Sequence, residues 1–389
     1  MSNVSFDNLE NAFVSKSNSE INKAYWLFKA IGHPLLVKSG SRIAGWALKK
    51  HLPVKGLIKA TIFQQFCGGE NINECSLTVA HLGKFGVGSI LDYSVEGKEE
   101  ETEFEYSCRE ILHTIQRAKG DADIPFSVFK VTGLARFDLL EKVSSSADLS
   151  DAEKEEWNYV VDRVDRICKE GHDFNVRVFI DAEESWIQNA IDQLAMLMME
   201  KYNTEKAMIY NTIQMYRHDR LAFLKISHQH AINNNYYLGL KIVRGAYMEK
   251  ERARALEKKY SSPIQPDKPT CDNDYNAALK FCLANITKIS ICAGTHNEES
   301  SLFLSQLMNE YAISADDERI YFSQLLGMSD HISFNLAKAG YRVAKYVPYG
   351  PVEAVLPYLT RRAEENTSLA GQMGRELSLL LAEKKRRSK

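Results

Sequence analysis

The 389-residue chain carries almost no net charge, a formal −2, although 26% of its residues are charged. So even a balance offers a polyanion no long-range attraction, and nucleic-acid binding is not expected. Long apolar runs are missing too, because no segment approaches the roughly 18 to 20 continuous apolar residues that a membrane span requires. The opening residues, MSNVSFDNLENAF, have neither a basic n-region nor an arginine-rich stretch, which argues against a signal or transit peptide. The seven cysteines (Cys67, Cys75, Cys108, Cys168, Cys271, Cys282 and Cys292) are odd in number, scattered and never spaced C-x-x-C. They read as reduced thiols in a cytosol-like compartment, with neither a disulfide framework nor a zinc site. Internal repeats and low-complexity tracts are absent, and the glycines of GKFGVG precede a strand where a dinucleotide fingerprint would follow one. What remains, at 44% hydrophobic, is the composition of a globular chain able to bury a large core.

From Ser19 to about Phe66 the apolar residues Ile21, Ala24, Tyr25 and Phe28, then Ile43, Trp46 and Ala47, recur at helical spacing, with breaks at Gly32-His33-Pro34 and Leu52-Pro53. A helical extension over residues 1–66 is expected. Beyond it, short β-branched runs alternate with longer amphipathic stretches. The runs are GSILDYS (88–94), SVFKVTG (127–133), VRVFIDAE (176–183), AMIYNTIQ (207–214), LGLKIVRG (238–245), ISICAGTH (289–296), RIYFSQL (319–325) and RVAKYVPY (342–349). Between two of them, Ser150-x-x-Glu153 forms a capping box at the start of a helix that Gly171 is expected to close. Eight strands each followed by helix predict a (β/α)8 TIM-type barrel over 67–370, ending in a basic helical tail over 371–389.

In such a barrel the strand C-termini carry the chemistry. Here those ends hold Asp92, Lys130, Thr132, Asp181, Glu183, Gln214, Lys241, Arg244, Thr295, His296 and Tyr346. Lys130 and Lys241 lie within apolar runs, where a lysine is costly unless paired. Each is either a Schiff-base nucleophile, as in a barrel aldolase or lyase, or a cation paired with a carboxylate or facing a cofactor. Asp92 and the Asp181-Ala182-Glu183 triplet lack accompanying histidines, so hydrogen bonding is preferred to metal ligation and no metal is expected. His228 and His230 sit in a polar helical stretch and read as surface residues. Near the C-terminus, YLTRRAEEN places Arg361 beside Arg362, with Glu365 a turn later and Asn366 as the expected helix end. The pair is either a solvated face or a bidentate grip on a carboxylate or phosphate. The terminal Lys384, Lys385, Arg386 and Arg387 favour a helix dipole or touch an anionic membrane surface.

Four stretches together, IDAEES (180–185), KIVRGAYMEKERARA (241–255), YFSQLLGM (321–328) and KYVPYGPVEAVLPYLTRRAEEN (345–366), resemble the proline dehydrogenase family. The resemblance runs from about Phe66 to about Ser368 and implies a distorted (β/α)8 barrel holding FAD. It implies a grip on the proline carboxylate by Arg361 and Arg362, supported by Glu365. Tyr346 and Leu325 would pack over the pyrrolidine ring, with Asp92 and Tyr247 completing the substrate site. Around the flavin it implies Lys241 near N5, Gln214 on the ring, Arg244, Gly245 and Ala246 lining the cofactor, and Thr295 and His296 by the ribityl and adenosine portion.

The implied reaction takes L-proline to Δ1-pyrroline-5-carboxylate and passes electrons to a quinone, with a separate dehydrogenase consuming the product. A hydroxyproline dehydrogenase is the nearest alternative; there a smaller residue replaces the tyrosine at position 346. Two departures from the family pattern stand out. Gln64 in QQFCGGE occupies a position that is lysine in bifunctional relatives, and PDKPTCDNDYNAAL (266–279) matches so loosely that Asp272 and Tyr275 are left out of the expected site. A monofunctional enzyme is expected, cytoplasmic and in peripheral contact with the inner face of a membrane.

Overall fold

A computed structural model describes residues 4–32, 40, 43, 45–47, 50, 52–94, 99–368 and 370–388, leaving the side chains of 364–373 outside the description. The expected break at His33-Pro34 and the side chain of Glu365 therefore lie outside the described residues.

Eight parallel strands close into a barrel in sequence order. They are β1 (Val87–Tyr93), β2 (Phe126–Lys130), β3 (Arg177–Asp181), β4 (Ile209–Gln214), β5 (Leu238–Val243), β6 (Ile289–Gly294), β7 (Ile320–Leu325) and β8 (Val343–Tyr349). All eight coincide with the runs read from sequence, since fully buried parallel strands appear as β-branched and aromatic runs. Two boundaries differ for physical reasons. β2 stops at Lys130, and Val131–Gly133 turns as a 3-10 helix that presents the Thr132 N–H to Glu183 at 3.0 Å. The helix capped by Ser150 continues to Asp173, past Gly171. A Cβ on Gly171 would lie 2.4 Å from Val178 Cγ2, so that glycine permits close helix–strand approach and is not a stop signal.

Contacts divide the chain into two units. The first is made chiefly of residues 97–323, with β2 to β6 and most of β7. Its barrel interior opens with a layer of aromatic rings: Phe126 stacks on Phe179 at 4.2 Å, and Tyr210 and Tyr321 meet Phe126 edge-on. The Arg177 guanidinium lies 5.8 Å over both Phe126 and Tyr321, offsetting its burial by cation–π attraction.

The second unit holds residues 2–96, 324–339 and 343–389. The Asn18–Ile31 helix opens with a complete Ser17–Glu20 capping box and buries Ile21, Ala24, Phe28 and Ile31 at helical spacing. These side chains share one core with Phe63, Phe66, Val355, Leu359, Leu379 and Leu380. The N-terminal helices thus pack with the Val352–Ser368 and Ala370–Arg387 helices. Val352–Ser368 runs two residues past Asn366, which does not end the helix as expected. Pairing of β1 with β8 sets Ile90 beside Tyr346 and Asp92 beside Pro348.

Candidate active site

Within the first unit, register aligns the charged strand ends. Lys130 pairs with Asp181, Thr212 with Lys241, and Lys241 with Cys292. Asp181 receives both lysines: Lys241 bonds its Oδ1, and Lys130 stands 3.7 Å from its Oδ2. Lys241 is only 5% exposed, and its ammonium also lies 5.4 Å over the Phe179 ring. A lysine already engaged by a buried carboxylate and an aromatic face serves as a paired cation, which weighs against the Schiff-base reading. Glu183, one strand end away, accepts from the Thr132 N–H and hydroxyl. Its carboxyl is nevertheless pushed up to about 7, because burial outweighs those hydrogen bonds.

After β5, the chain turns through Arg244, Gly245, Ala246 and Tyr247 into the Met248–Lys258 helix. Arg244 is fixed by three partners, Asp272 at 2.7 Å, Thr295 Oγ1 at 2.7 Å and Ser300 Oγ at 2.8 Å. Its guanidinium also stacks 4.3 Å over Tyr275. Asp272 and Tyr275, left out at the sequence level, are thus the residues that orient Arg244. The signal was the spacing of Asp272 and Tyr275 on one helix face, three apart, but nothing in sequence joined that face to Arg244. Gly245 has φ +131, and a Cβ there would lie 2.5 Å from the Tyr216 ring. Thr295 follows β6, and its hydroxyl also accepts from the Asn297 N–H at 3.0 Å.

The resemblance implies a flavin, and the residues present fit one. Gln214 lies two residues beyond Thr212 and so on the same face of β4 as the layer containing Lys241. Its buried Oε1 has no hydrogen-bond partner, an expensive omission that an imide N–H would relieve. Beside it stand an oriented cation, Arg244, and the exposed backbone of Gly245 and Ala246. Tyr247, expected with the substrate residues, sits in this set by chain position, and His296 is half-buried next to Thr295.

In the second unit, Asp92 is buried near the end of β1 and accepts from the Ser94 hydroxyl at 2.6 Å. Tyr346 is buried in β8, and Leu325 ends β7. Arg361 is half-buried and Arg362 buried on the helix that leaves β8, and the Arg362 guanidinium lies 5.2 Å over the Tyr358 ring. Successive helix positions diverge by about 100°, so two adjacent arginines converge only through their long side chains. Gln64 is exposed. His228 meets Phe281 edge-on and His230 bonds the Tyr236 hydroxyl at 3.1 Å, so both are half-buried beside aromatic rings where exposed surface positions were expected.

A closed barrel whose strand ends gather paired lysines, an oriented arginine and buried carboxylates is built as a (β/α)8 enzyme is built. The sequence model of the proline dehydrogenase family matches residues 75–375, and the chain belongs to that family. A carbapenem antibiotics biosynthesis protein, CarD, from Pectobacterium carotovorum subsp. carotovorum is 34% identical, over 89% of this chain and 90% of its own. Mitochondrial proline dehydrogenase 1 of Dictyostelium discoideum is 34% identical over 96% of this chain and 74% of its own, and a Xenopus laevis hydroxyproline dehydrogenase 31% identical over 96% and 88%. Among solved structures, proline utilization A (PutA) from Bdellovibrio bacteriovorus superposes with a TM-score of 0.72 at 20% identity over 92% of this chain. The chain spans about a third (36%) of the length of that protein, and at this identity the likeness is one of fold.

Proposed function

We propose that the protein oxidises L-proline to Δ1-pyrroline-5-carboxylate with FAD as hydride acceptor and a quinone as the next electron acceptor. One observation carries the reading: a member of the proline dehydrogenase family keeps two adjacent arginines, one of them buried, on the helix that leaves the strand bearing buried Tyr346. A carboxylate matches the paired donors of two guanidiniums, and the substrate supplies one. Arg361 and Arg362 then fix the carboxylate, while Tyr346 and Leu325 cover the apolar ring and exclude water. Asp92, Tyr247 and Glu365 complete the substrate set. When bound, FAD would supply the redox chemistry as acceptor of the hydride that leaves ring carbon C5. Gln214, Arg244, Gly245, Ala246, Thr295 and His296 hold and orient it, and the Lys241 ammonium stabilises negative charge that develops on reduction. Positioning of this kind contributes several kcal/mol, on the order of the lower end of proximity effects.

The electron acceptor requires access to a lipid phase. On the Asn18–Ile31 helix, exposed Lys23, Trp26 and Lys29 form one stripe, and Trp26 is 62% exposed. Lys384 of the last helix lies 4.4 Å over Tyr25 of the same helix, and Lys385 and Arg386 beyond it are exposed. An aromatic and cationic patch on a chain of net charge −2 supports peripheral contact with an anionic membrane face from the cytoplasmic side. No described helix is long and apolar enough to cross a membrane.

The test is an anaerobic absorbance spectrum of the purified protein before and after L-proline. A flavin spectrum that bleaches with proline, and much less with 4-hydroxyproline, is expected. A flavin that stays oxidised removes proline as substrate, and absence of flavin removes the redox reading. Tyr346 separates the two amino acids: Tyr346→Ser is expected to raise kcat/KM for hydroxyproline relative to proline, and unchanged selectivity would withdraw its assignment to the ring.

A further inference from the structure

Lys345 is a lysine buried in the middle of β8, 1% exposed, and the proposed chemistry leaves it without a role. A buried ammonium needs its three donors satisfied. Here the acceptors are Asp330 Oδ1 at 2.8 Å, the Met328 carbonyl at 2.7 Å and the Leu325 carbonyl at 3.4 Å. Two of the three belong to a single short segment, Leu325–Ser329, which runs from the last residue of β7 to the start of the Asp330–Lys338 helix.

That segment is gripped elsewhere along its length. The Leu326 N–H donates to the Tyr346 carbonyl at 2.9 Å, and Gln65 Nε2 to the Gly327 carbonyl at 2.8 Å. The Ser329 N–H donates to Glu376 Oε1, on the last helix, at 2.6 Å. Its backbone also needs restraint. Gly327 has φ +76 and Ser329 φ +51, and a serine in the left-handed region is held there by its surroundings. On the far side of Lys345, Asp330 Oδ2 pairs with Lys16 at 2.9 Å. Burial alone would raise the Asp330 carboxyl, but Lys16 and Lys345 hold it below the usual carboxylate range. It is a fixed anion between two cations.

We propose that Lys345, Asp330 and Lys16 act as a clamp that positions the Leu325–Ser329 segment, and through it the Leu325 side chain that covers the substrate ring. These are positioning residues, and their role rests on the proline-oxidising reading given above. An ion pair serving stability alone would have no need to spend two lysine donors on carbonyls of one link. Lys16 precedes the capped N-terminal helix and Glu376 lies in the last helix, so both chain ends reach the specificity segment through hydrogen bonds and ion pairs.

The experiment compares wild-type holoenzyme with Lys345→Met and Lys16→Met in two measurements. In the first, amide exchange is followed in a peptide covering Leu325 to Ser329. In the second, KM and kcat are measured for L-proline. Faster exchange in that segment in both variants is expected, with KM raised about tenfold and kcat changed much less, since the clamp acts on ground-state and transition-state binding alike. Should Lys345→Met fail to fold, Lys16→Met decides, because its ammonium sits at the outer end of the chain of contacts. Unchanged exchange in the folded variants overturns the clamp. Faster exchange with unchanged KM overturns its link to the substrate. If wild-type protein does not turn over proline, the substrate reading falls, while exchange still decides for or against the clamp.

Discussion

Glu183 and Arg362 are both buried polar side chains. Glu183 gives way by holding its proton, with its carboxyl at about 7. In the unfolded chain it ionises near 4.3, so between roughly pH 4.5 and 7 the folded state binds the extra proton and stability falls as pH rises. Glu183→Gln keeps an acceptor for the Thr132 N–H and removes that ionisation. Thermal melts at pH 5 and pH 8 are expected to differ less for the variant than for wild type; an equal difference would show that Glu183 is ionised throughout. Arg362 lays its guanidinium over the Tyr358 ring. Arg362→Lys keeps the charge but loses the planar fork. The KM for proline is expected to rise about tenfold or more with flavin content unchanged. Steady-state kinetics and the flavin-to-protein absorbance ratio check both halves.

The elements that matter most are the links that leave strands. After β5, Gly245 takes a left-handed φ where its backbone meets the Tyr216 ring. Gly245→Ala adds a methyl at 2.5 Å from that ring in a conformation L-residues avoid, a cost of more than about 1 kcal/mol. The variant is expected to purify with less flavin, and full occupancy would separate this turn from the cofactor. Arg244 shows how far the links extend, since its partners come from the Lys268–Ala284 helix, from the residue after β6 and from the Glu298–Glu310 helix. Such a residue is legible in sequence as a cation at a strand end. Its orientation is not, because Asp272 and Ser300 lie 28 and 56 residues away.

For the molecule as a whole, the basic tail has two separable jobs. Arg387 donates to the Phe13 carbonyl at 2.9 Å and the Lys16 carbonyl at 2.8 Å, and with Arg386 it holds the buried Glu383. Lys385 and Arg386 face outward. Arg387→Ala is therefore expected to lower the melting temperature by a loss of about 1–3 kcal/mol while vesicle binding persists. Lys385→Glu is expected to weaken co-sedimentation with anionic vesicles, by about 1 kcal/mol for the cation removed, and to slow turnover with a long-chain quinone. Binding unchanged by this charge reversal would exclude Lys385 as a membrane contact.

The eight strands and the barrel were legible in the residues, because a strand buried on both faces must be apolar and β-branched along its whole length, and the helix after each must be amphipathic. The arginine pair reads from the residues either as a solvated face or as a grip on an anion, and its place in the site is the proposal that Arg362→Lys tests. What the residues left open was partnership. Lys130 and Lys241 read equally as nucleophiles or as paired cations, and only the register of β2 to β5 gives both of them to Asp181. Gly171 read as a helix stop and serves as a contact. Lys16, Asp330 and Lys345 are unremarked in sequence and meet only when both ends of the chain fold onto the same unit. Periodicity is local and survives in one dimension. Pairing of buried charges depends on distances between residues hundreds of positions apart, and those exist only in the folded chain.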